Sequence, residues 1–205
     1  MYRPFLPSLA AAFACAALAG ARTPQQPPKP GPEIRRLGYF IGTWHEEGDL
    51  KASMLGPADH VRSTARIEWM PGNMFYIAHN TQQTSAGVVN DASIAGWDRD
   101  KKVYAAYAFD PHGDMRRIEG TLTRAAGSSS PAGGGHAGGA STDDAWAPGD
   151  TWRWTTQWGA DADLVKLRET VKVTSATAYD FTWEIAAQGK DFQTILQGKA
   201  TKTPQ

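Results

Sequence analysis

The sequence has almost no cysteine and no excess of either charge. Of its 205 residues only Cys15 is a cysteine, and Lys+Arg and Asp+Glu each number 21, so the formal net charge is zero. A single cysteine excludes an intrachain disulfide and a cysteine-rich zinc site. Balanced charge argues against a nucleic-acid partner, which needs a basic stripe, and gives no support to a polybasic membrane-surface protein.

The N-terminal apolar run, from Phe5 to Ala19, is shorter than the roughly 20 residues that a membrane-spanning helix needs. Arg3 precedes this run, and small residues that fit a cleavage site continue to Ala21. This order is typical of a secretory signal peptide, which we assign to residues 1–21. We therefore expect an exported protein, periplasmic or secreted, with no transmembrane segment in the mature chain.

Cys15 lies inside this segment and leaves a second interpretation open. A lipoprotein signal places its cysteine after small residues, usually with a leucine three positions earlier. Here the preceding residues are Ala12, Phe13 and Ala14, so a lipid anchor is the lesser alternative. Cleavage after Ala21 would leave a mature chain without cysteine, which its core alone must stabilise.

The remaining composition fits one domain with a core. Apolar residues make up 41% of the sequence and aromatic residues 10%, including eight tryptophans. Residues 22–32 are rich in proline and predict an extended linker. Residues 33–41 place Ile34, Leu37 and Phe40 on one face, which predicts a short amphipathic helix.

From Thr43 onward the apolar period changes from helical to two, the spacing of strands with one buried face. Short polar turns separate the segments, and no helical pattern intervenes. This order predicts an all-β fold, an antiparallel up-and-down β-barrel of about ten strands, in a domain that spans residues 33–205 and begins with the short helix. The strand candidates are Thr43–Ala52, Val61–Met70, Met74–Gln82, Ser93–Trp97, Val103–Phe109, Met115–Arg124, Thr151–Trp158, Leu164–Val173, Tyr179–Ala187 and Phe192–Thr201.

Residues 125–149 interrupt the series of strands. Glycine, alanine and serine dominate this segment, which we interpret as a flexible insertion in a hairpin loop. His136 lies inside it, and a single histidine in such a loop is interpreted as solvated rather than as a ligand.

Several short motifs occur in order between residues 31 and 124. They are Gly42-Thr43-Trp44, Gly96-Trp97-Asp98 followed by Lys102-x-Tyr104, and Phe109-Asp110-x-x-Gly113 before Glu119-Gly120. A short helix leading into Gly-x-Trp at the first strand resembles the calycin superfamily, which includes lipocalins and fatty-acid-binding proteins. More narrowly, the set resembles an uncharacterised family of exported bacterial proteins with a lipocalin-like barrel. The resemblance implies the barrel fold and export, and no settled activity.

Aromatic residues recur on one face of several strands. Trp152, Trp154 and Trp158 share a face, and the strand from Tyr179 repeats the pattern. Because the opposite faces are charged, we expect the aromatic faces to point into the barrel, where they either fill it or line a cavity for a flat or apolar ligand. We expect Trp44 to plug one end of the barrel as a structural residue. The lumen candidates are Trp69, Tyr76, His79, Tyr107, Trp152, Trp154, Trp158, Phe181 and Trp183.

The sequence predicts no catalytic residues, no metal and no cofactor. The five histidines show no metal-ligand spacing, and the insertion's serine run lacks a nucleophile elbow. The adjacent carboxylates Glu46-Glu47 and Asp143-Asp144 would point to opposite faces of a strand and make no acid–base pair. Nitrobindins, a related class of ten-stranded barrels, bind haem through a histidine near the C-terminus. Residues 180–205 contain no histidine here, which argues against haem binding.

Three functions fit these observations. The first, which we favour, is binding of a small hydrophobic or aromatic ligand in the lumen. The second is an enzyme acting on a small apolar substrate, which predicts polar groups converging in the lumen. The third is a structural or partner-binding exported protein, which predicts a filled barrel and an exposed apolar patch.

Overall fold

The computed structural model describes residues 28–126 and 146–204. The predicted signal peptide with Cys15, most of the predicted linker, and most of the insertion with His136 lie outside the described residues. What the sequence predicts for these segments therefore stays a prediction. Within the described ranges, no helix has the length and apolar character needed to cross a membrane.

A short helical segment precedes the barrel, as the helical period predicts. Helix α1 spans Pro32–Arg36 and continues into a 3₁₀ helix at Leu37–Phe40. A proline begins α1, where its missing N–H removes no helical hydrogen bond, and Glu33 lies in the first turn, where the helix dipole favours an acid. The buried side chains of the segment, among them Ile34, fix it against one end of the barrel.

Ten antiparallel strands form one closed barrel, which confirms the predicted fold. Each strand pairs with its neighbours along the chain, and the last strand closes on the first. The strands are β1 (Gly42–Leu50), β2 (Asp59–Trp69), β3 (Phe75–Thr84), β4 (Gly87–Asp98), β5 (Val103–Phe109), β6 (Met115–Thr123), β7 (Thr151–Trp158), β8 (Val165–Ser175), β9 (Ala178–Ala187) and β10 (Gln193–Lys202).

The largest difference from the sequence prediction is the start of β4, at Gly87 rather than Ser93. Strands β3 and β4 form a long hairpin whose ladder continues through Asn80 and Asp91. The apolar alternation stops there because both of these inward positions are polar. The backbone hydrogen bonds between β3 and β4 continue past the last apolar position, so the apolar pattern underestimates the length of β4.

Trp44 fills the closed end of the barrel. It is fully buried, its indole Nε1 donates a hydrogen bond to the Phe40 carbonyl at 2.8 Å, and its ring packs on Tyr39 and Tyr179. The Lys202 ammonium lies 5.1 Å from the Trp44 ring centroid and donates to the Tyr39 carbonyl at 3.0 Å. The helical segment and both terminal strands thus meet at one aromatic cluster, and Trp44 has the structural role that the sequence predicts.

Asp150 anchors the β6–β7 connection at this closed end. Its buried carboxylate accepts hydrogen bonds from the backbone N–H groups of Ala125 and Ala147, both at 2.9 Å. Arg124 pairs with it at an Nε–Oδ1 distance of 3.3 Å. The predicted insertion therefore leaves and rejoins the barrel away from its open end.

Side chains alternate between lumen and solvent along each strand. On β1, Trp44 is buried and Glu46 partly so, whereas His45 and Glu47 are exposed. The hairpin turn of β5–β6 lies at the end opposite the helical segment, where the lumen opens. The inward series of each strand therefore runs from a filled end to an open one.

Candidate functional site

The barrel encloses a cavity of about 380 Å³. Phe40 and Tyr179 form its floor above Trp44, and Asp110 and Asp114 stand at its mouth. The space exists because several inward residues are small. These are Ala65, Ala78, Ala106 and Ala108.

Glu46 accepts hydrogen bonds in the lumen from two hydroxyl groups on other strands. Ser63 on β2 donates to Oε2 at 2.6 Å, and Tyr179 on β9 donates to Oε1. Burial, with the negative charge of Glu46 adding to it, raises the pKa of Tyr179 well above its ordinary value. The phenol therefore keeps its proton and acts as a donor, which holds Glu46 in one position across three strands.

Glu169 on β8 lies between two tryptophans on the inner face. Its ladder partners are Trp154 on β7 and Trp183 on β9. Burial, and then the charge of Glu46, raise the pKa of Glu169 to about 7, and the Trp183 N–H opposes the shift. That N–H makes no hydrogen bond of ordinary geometry. Within the described residues this poorly aligned Trp183 N–H is the only hydrogen-bond donor to Glu169, and no Lys or Arg forms an ion pair with it.

Tyr76 on β3 presents a second unpaired polar group to the cavity. Its side chain is only 8% exposed and lines the lumen, yet its hydroxyl has no hydrogen bond in the described part of the chain. Burial raises the pKa of Tyr76, and the charge of Glu169 adds to the shift. Tyr76 is therefore a neutral donor and Glu169 an acceptor, both available to an occupant.

Nearer the mouth, Asn80 Nδ2 donates to Asp91 Oδ1 at 2.6 Å. Burial raises the pKa of Asp91 while this hydrogen bond opposes the shift. Arg116 stands at the mouth with its guanidinium 3.7 Å from the carboxylates of both Asp110 and Asp114. Among the described residues that line the cavity it is the only Lys or Arg. Carboxyl groups therefore outnumber cations in this lining.

Three of the predicted lumen residues line this cavity, and three more share the inner face without reaching it. Trp152 is 1% exposed, with its ring packed on Phe40 and Tyr104 below the cavity. Aromatic rings therefore fill the closed end and line the space above it, and their contact with a ligand stays a prediction. The lining residues are Tyr76, Trp154 and Trp183, and those packed into the core are Trp69, Trp152 and Phe181.

Two predicted lumen residues face solvent instead. His79 is exposed next to the buried Ala78, and Tyr107 is 38% exposed, with its hydroxyl accepting from Arg117 Nη1 at 3.0 Å. The inward positions next to them are held by the small residues Ala78 and Ala106, so the larger ring does not mark the buried face there. Across the described ranges, no group of three or more His, Cys, Asp or Glu side chains is placed to hold a metal ion.

Trp158, the remaining candidate, lies outside the cavity. It borders a second depression, of about 790 Å³, on the rim and outer wall of β6–β8. The Arg116 guanidinium lies 5.2 Å from its ring centroid, and Arg168 lies 4.0 Å from that of Phe192 in the same depression. Arginines already cover both rings, so the lumen, which encloses unpaired groups, is the better candidate site.

Glu46 and Glu169 are not among the lumen residues that the sequence predicts. The sequence gives Glu46 a carboxyl neighbour only in Glu47, on the same strand, whereas the second carboxyl of the lumen comes from a strand far along the chain. The alternation along β8 does indicate that Glu169 faces inward, because Glu169 is in phase with Val171 and Val173 on the apolar face of this strand. A carboxyl on a buried face is costly, and such a position points to a site.

No known protein-family profile matches the chain, and no curated protein matches it. Among solved structures the chain is similar to Rv2717c from M. tuberculosis, with a TM-score of 0.57 and 12% identity over 85% of this chain and 99% of that one. It is also similar to the S-type phycobiliprotein lyase CPES from Guillardia theta, with a TM-score of 0.49 and 8% identity over 82% and 91%. The similarity to Rv2717c supports the lipocalin-like barrel fold alone.

Proposed function

We propose that this protein is an exported barrel that binds a small apolar or aromatic molecule in its lumen. The observation that carries the proposal is the lumen cavity of about 380 Å³, lined by aromatic rings and a few polar groups. This size and this mixture are usual for small-molecule sites. We also propose that the chain is a member of the uncharacterised exported family that its motifs resemble.

The presence of a cavity favours a ligand-binding role over a purely structural one. A filled barrel would bury large side chains at every inward position, whereas Ala78, Ala106 and Ala108 leave space here. Apolar side chains also surround the mouth: Phe109 is 40% exposed and Val89 is 40% exposed, and both line the cavity. An apolar ligand would meet them as it enters.

A fluorescence titration tests the proposal. N-phenyl-1-naphthylamine is neutral at pH 7 and becomes fluorescent in apolar surroundings, and we expect saturable binding of one molecule per chain. Ala108→Trp places an indole in the lumen and should weaken binding by about tenfold or more. Tyr107→Trp, the adjacent outward position, should leave it unchanged.

Absence of saturable binding would refute the proposal, as would equal weakening by both variants. Thermal melting of each variant establishes that the barrel is intact. Both variants add one indole, so a difference between them reports the position of the new side chain.

A second candidate function is an enzyme acting on a small apolar substrate. The observation that favours it is Glu169, whose pKa of about 7 suits proton transfer at neutral pH, beside the unpaired Tyr76. The probe 5-nitrobenzisoxazole is a neutral aromatic that opens when one base removes its carbon-bound proton and the N–O bond breaks. Turnover that rises with pH through about 7 and is lost in Glu169→Gln would support this function. A rate equal to that in buffer would refute it.

Export is tested by locating the protein in the cell and determining its N-terminal residue. Expressed in a Gram-negative host, the protein should appear in the periplasm or medium with its N-terminus shortened by cleavage after Ala19 or Ala21. An uncleaved chain in the cytoplasm would refute export, and a lipid on Cys15 would establish the lipoprotein alternative.

A further inference from the structure

We propose that the lumen ligand carries a positively charged nitrogen, which pairs with Glu169 between Trp154 and Trp183. The inference rests on the proposed binding function and specifies the chemical class of ligand. The ligand is a small alkyl or arylalkyl amine whose apolar body fills the cavity and whose nitrogen is protonated at neutral pH.

The first argument is that Glu169 lacks a cationic partner. The other lumen carboxyls are satisfied by the protein: Glu46 by Ser63 and Tyr179, and Asp91 by Asn80. Glu169 has neither an ion pair nor a well-formed hydrogen bond in the described part of the chain. An enclosed carboxylate is costly unless it is paired, and a bound cation with N–H donors supplies the missing partner.

The second argument is the pair of tryptophans on the two strands that flank Glu169. Trp154 and Trp183 are the ladder partners of Glu169, and all three line the cavity. Aromatic rings around an anionic group attract organic cations through the ring quadrupole, and tryptophan is the strongest of the side chains in this respect. Tyr76, which is 8% exposed with an unpaired hydroxyl, adds a further ring on the cavity wall.

The third argument is the charge of the lining. The only Lys or Arg in the described lining is Arg116, which stands at the mouth and already faces Asp110 and Asp114 at 3.7 Å. Lys202 lies at the opposite end, where it donates to the Tyr39 carbonyl beyond the Trp44 ring. No Lys or Arg among the described residues is therefore placed inside the cavity to receive an anionic ligand, such as a fatty-acid carboxylate.

The affinity for an amine should depend on pH through Glu169. The ionised carboxylate is the form that pairs with a cation, so affinity should fall as the pH drops from 8 to 5.5, while that of a neutral ligand stays constant. The titratable and charged groups that share the cavity with Glu169 are Glu46 on β1, Tyr76 on β3, Asp91 on β4, Arg116 on β6, Tyr179 on β9, and Asp110 and Asp114 in the β5–β6 turn.

Three probes with one aromatic body test the inference by isothermal titration calorimetry. They are 2-(1-naphthyl)ethylamine, a cation at pH 7.5, the neutral 2-(1-naphthyl)ethanol, and the anion 1-naphthaleneacetate. We expect the amine to bind about tenfold or more tightly than the alcohol, and the acetate most weakly. Glu169→Gln should abolish the preference for the amine and leave the alcohol bound, and Glu47→Gln, which removes an exposed carboxyl from β1, should change neither.

The outcomes distinguish this inference from the proposed function. Equal affinities of amine and alcohol in the wild type would overturn the amine inference while the lumen remains a binding site. Failure of all three probes to bind would refute lumen binding itself. If Glu169→Gln does not fold, the pH series on the wild type decides: an amine affinity that does not fall toward pH 5.5 overturns the inference.

Discussion

Glu169 and Trp183 are direct partners across the β8–β9 ladder, and both side chains line the cavity without a well-formed hydrogen bond between them. The Trp183 N–H acts on Glu169 only at poor geometry, so the carboxyl group retains acceptor capacity that no cation or well-formed hydrogen bond uses. Buried polar groups are satisfied in most proteins, so such a pair points to an occupant. This relationship is the basis for expecting a cationic nitrogen in the lumen.

Glu169 should make stability depend on pH. Its pKa in the folded protein, about 7, exceeds its ordinary value of 4.5, so the protonated form favours folding. This contribution is fully present below pH 4.5 and is lost as the pH rises through 7. Glu169→Gln, which mimics the protonated group, should therefore stabilise the empty protein by roughly 1–3 kcal/mol at pH 8 and hardly at all at pH 4.5.

Urea unfolding at several pH values measures this effect. Glu47→Gln is the matched control because Glu47 is exposed on β1, and it should show no such trend. If Glu169→Gln proves destabilising at pH 8, the carboxylate has a partner within the protein and the amine inference loses its first argument.

Gly120→Ala should disturb one wall of the cavity. A Cβ at this position would lie 2.4 Å from the Trp154 ring, closer than such contacts occur, so the indole must move. We expect a loss of roughly 1–3 kcal/mol in the free energy of unfolding and weaker binding of the naphthyl probes. Gly38→Ala, where the nearest atom is 3.8 Å away on Trp69, is the control for both measurements. Unchanged melting and probe affinity in Gly120→Ala would show that Trp154 does not form that wall.

Trp44→Ala should destabilise the barrel without acting on the lumen directly. The change removes a fully buried ring and the hydrogen bond to Phe40, which should lower the free energy of unfolding by roughly 3–5 kcal/mol. His45→Ala, at the adjacent exposed position, should cost about 1 kcal/mol or less. Similar losses in the two variants, measured by chemical denaturation, would mean that Trp44 does not plug the closed end.

The fold was more predictable from the sequence than the site. Local alternation is enough to identify ten strands, because each strand buries one face whatever its partner is. The site needs long-range information: Glu46, Tyr76 and Glu169 come from β1, β3 and β8, and their convergence follows from closure of the barrel and its register. The mid-strand position of His79 and the aromatic ring of Tyr107 predict the lumen for both, whereas the alternation of Ala78 and Ala106 with exposed neighbours decides which face is buried.

The most direct measurement is a crystal structure of the protein with 2-(1-naphthyl)ethylamine. The account predicts the naphthyl ring inside the barrel above Phe40, with the nitrogen within hydrogen-bonding distance of a Glu169 carboxyl oxygen. A probe bound only in the outer depression beside Trp158, or a lumen filled by the protein's own side chains, would contradict it.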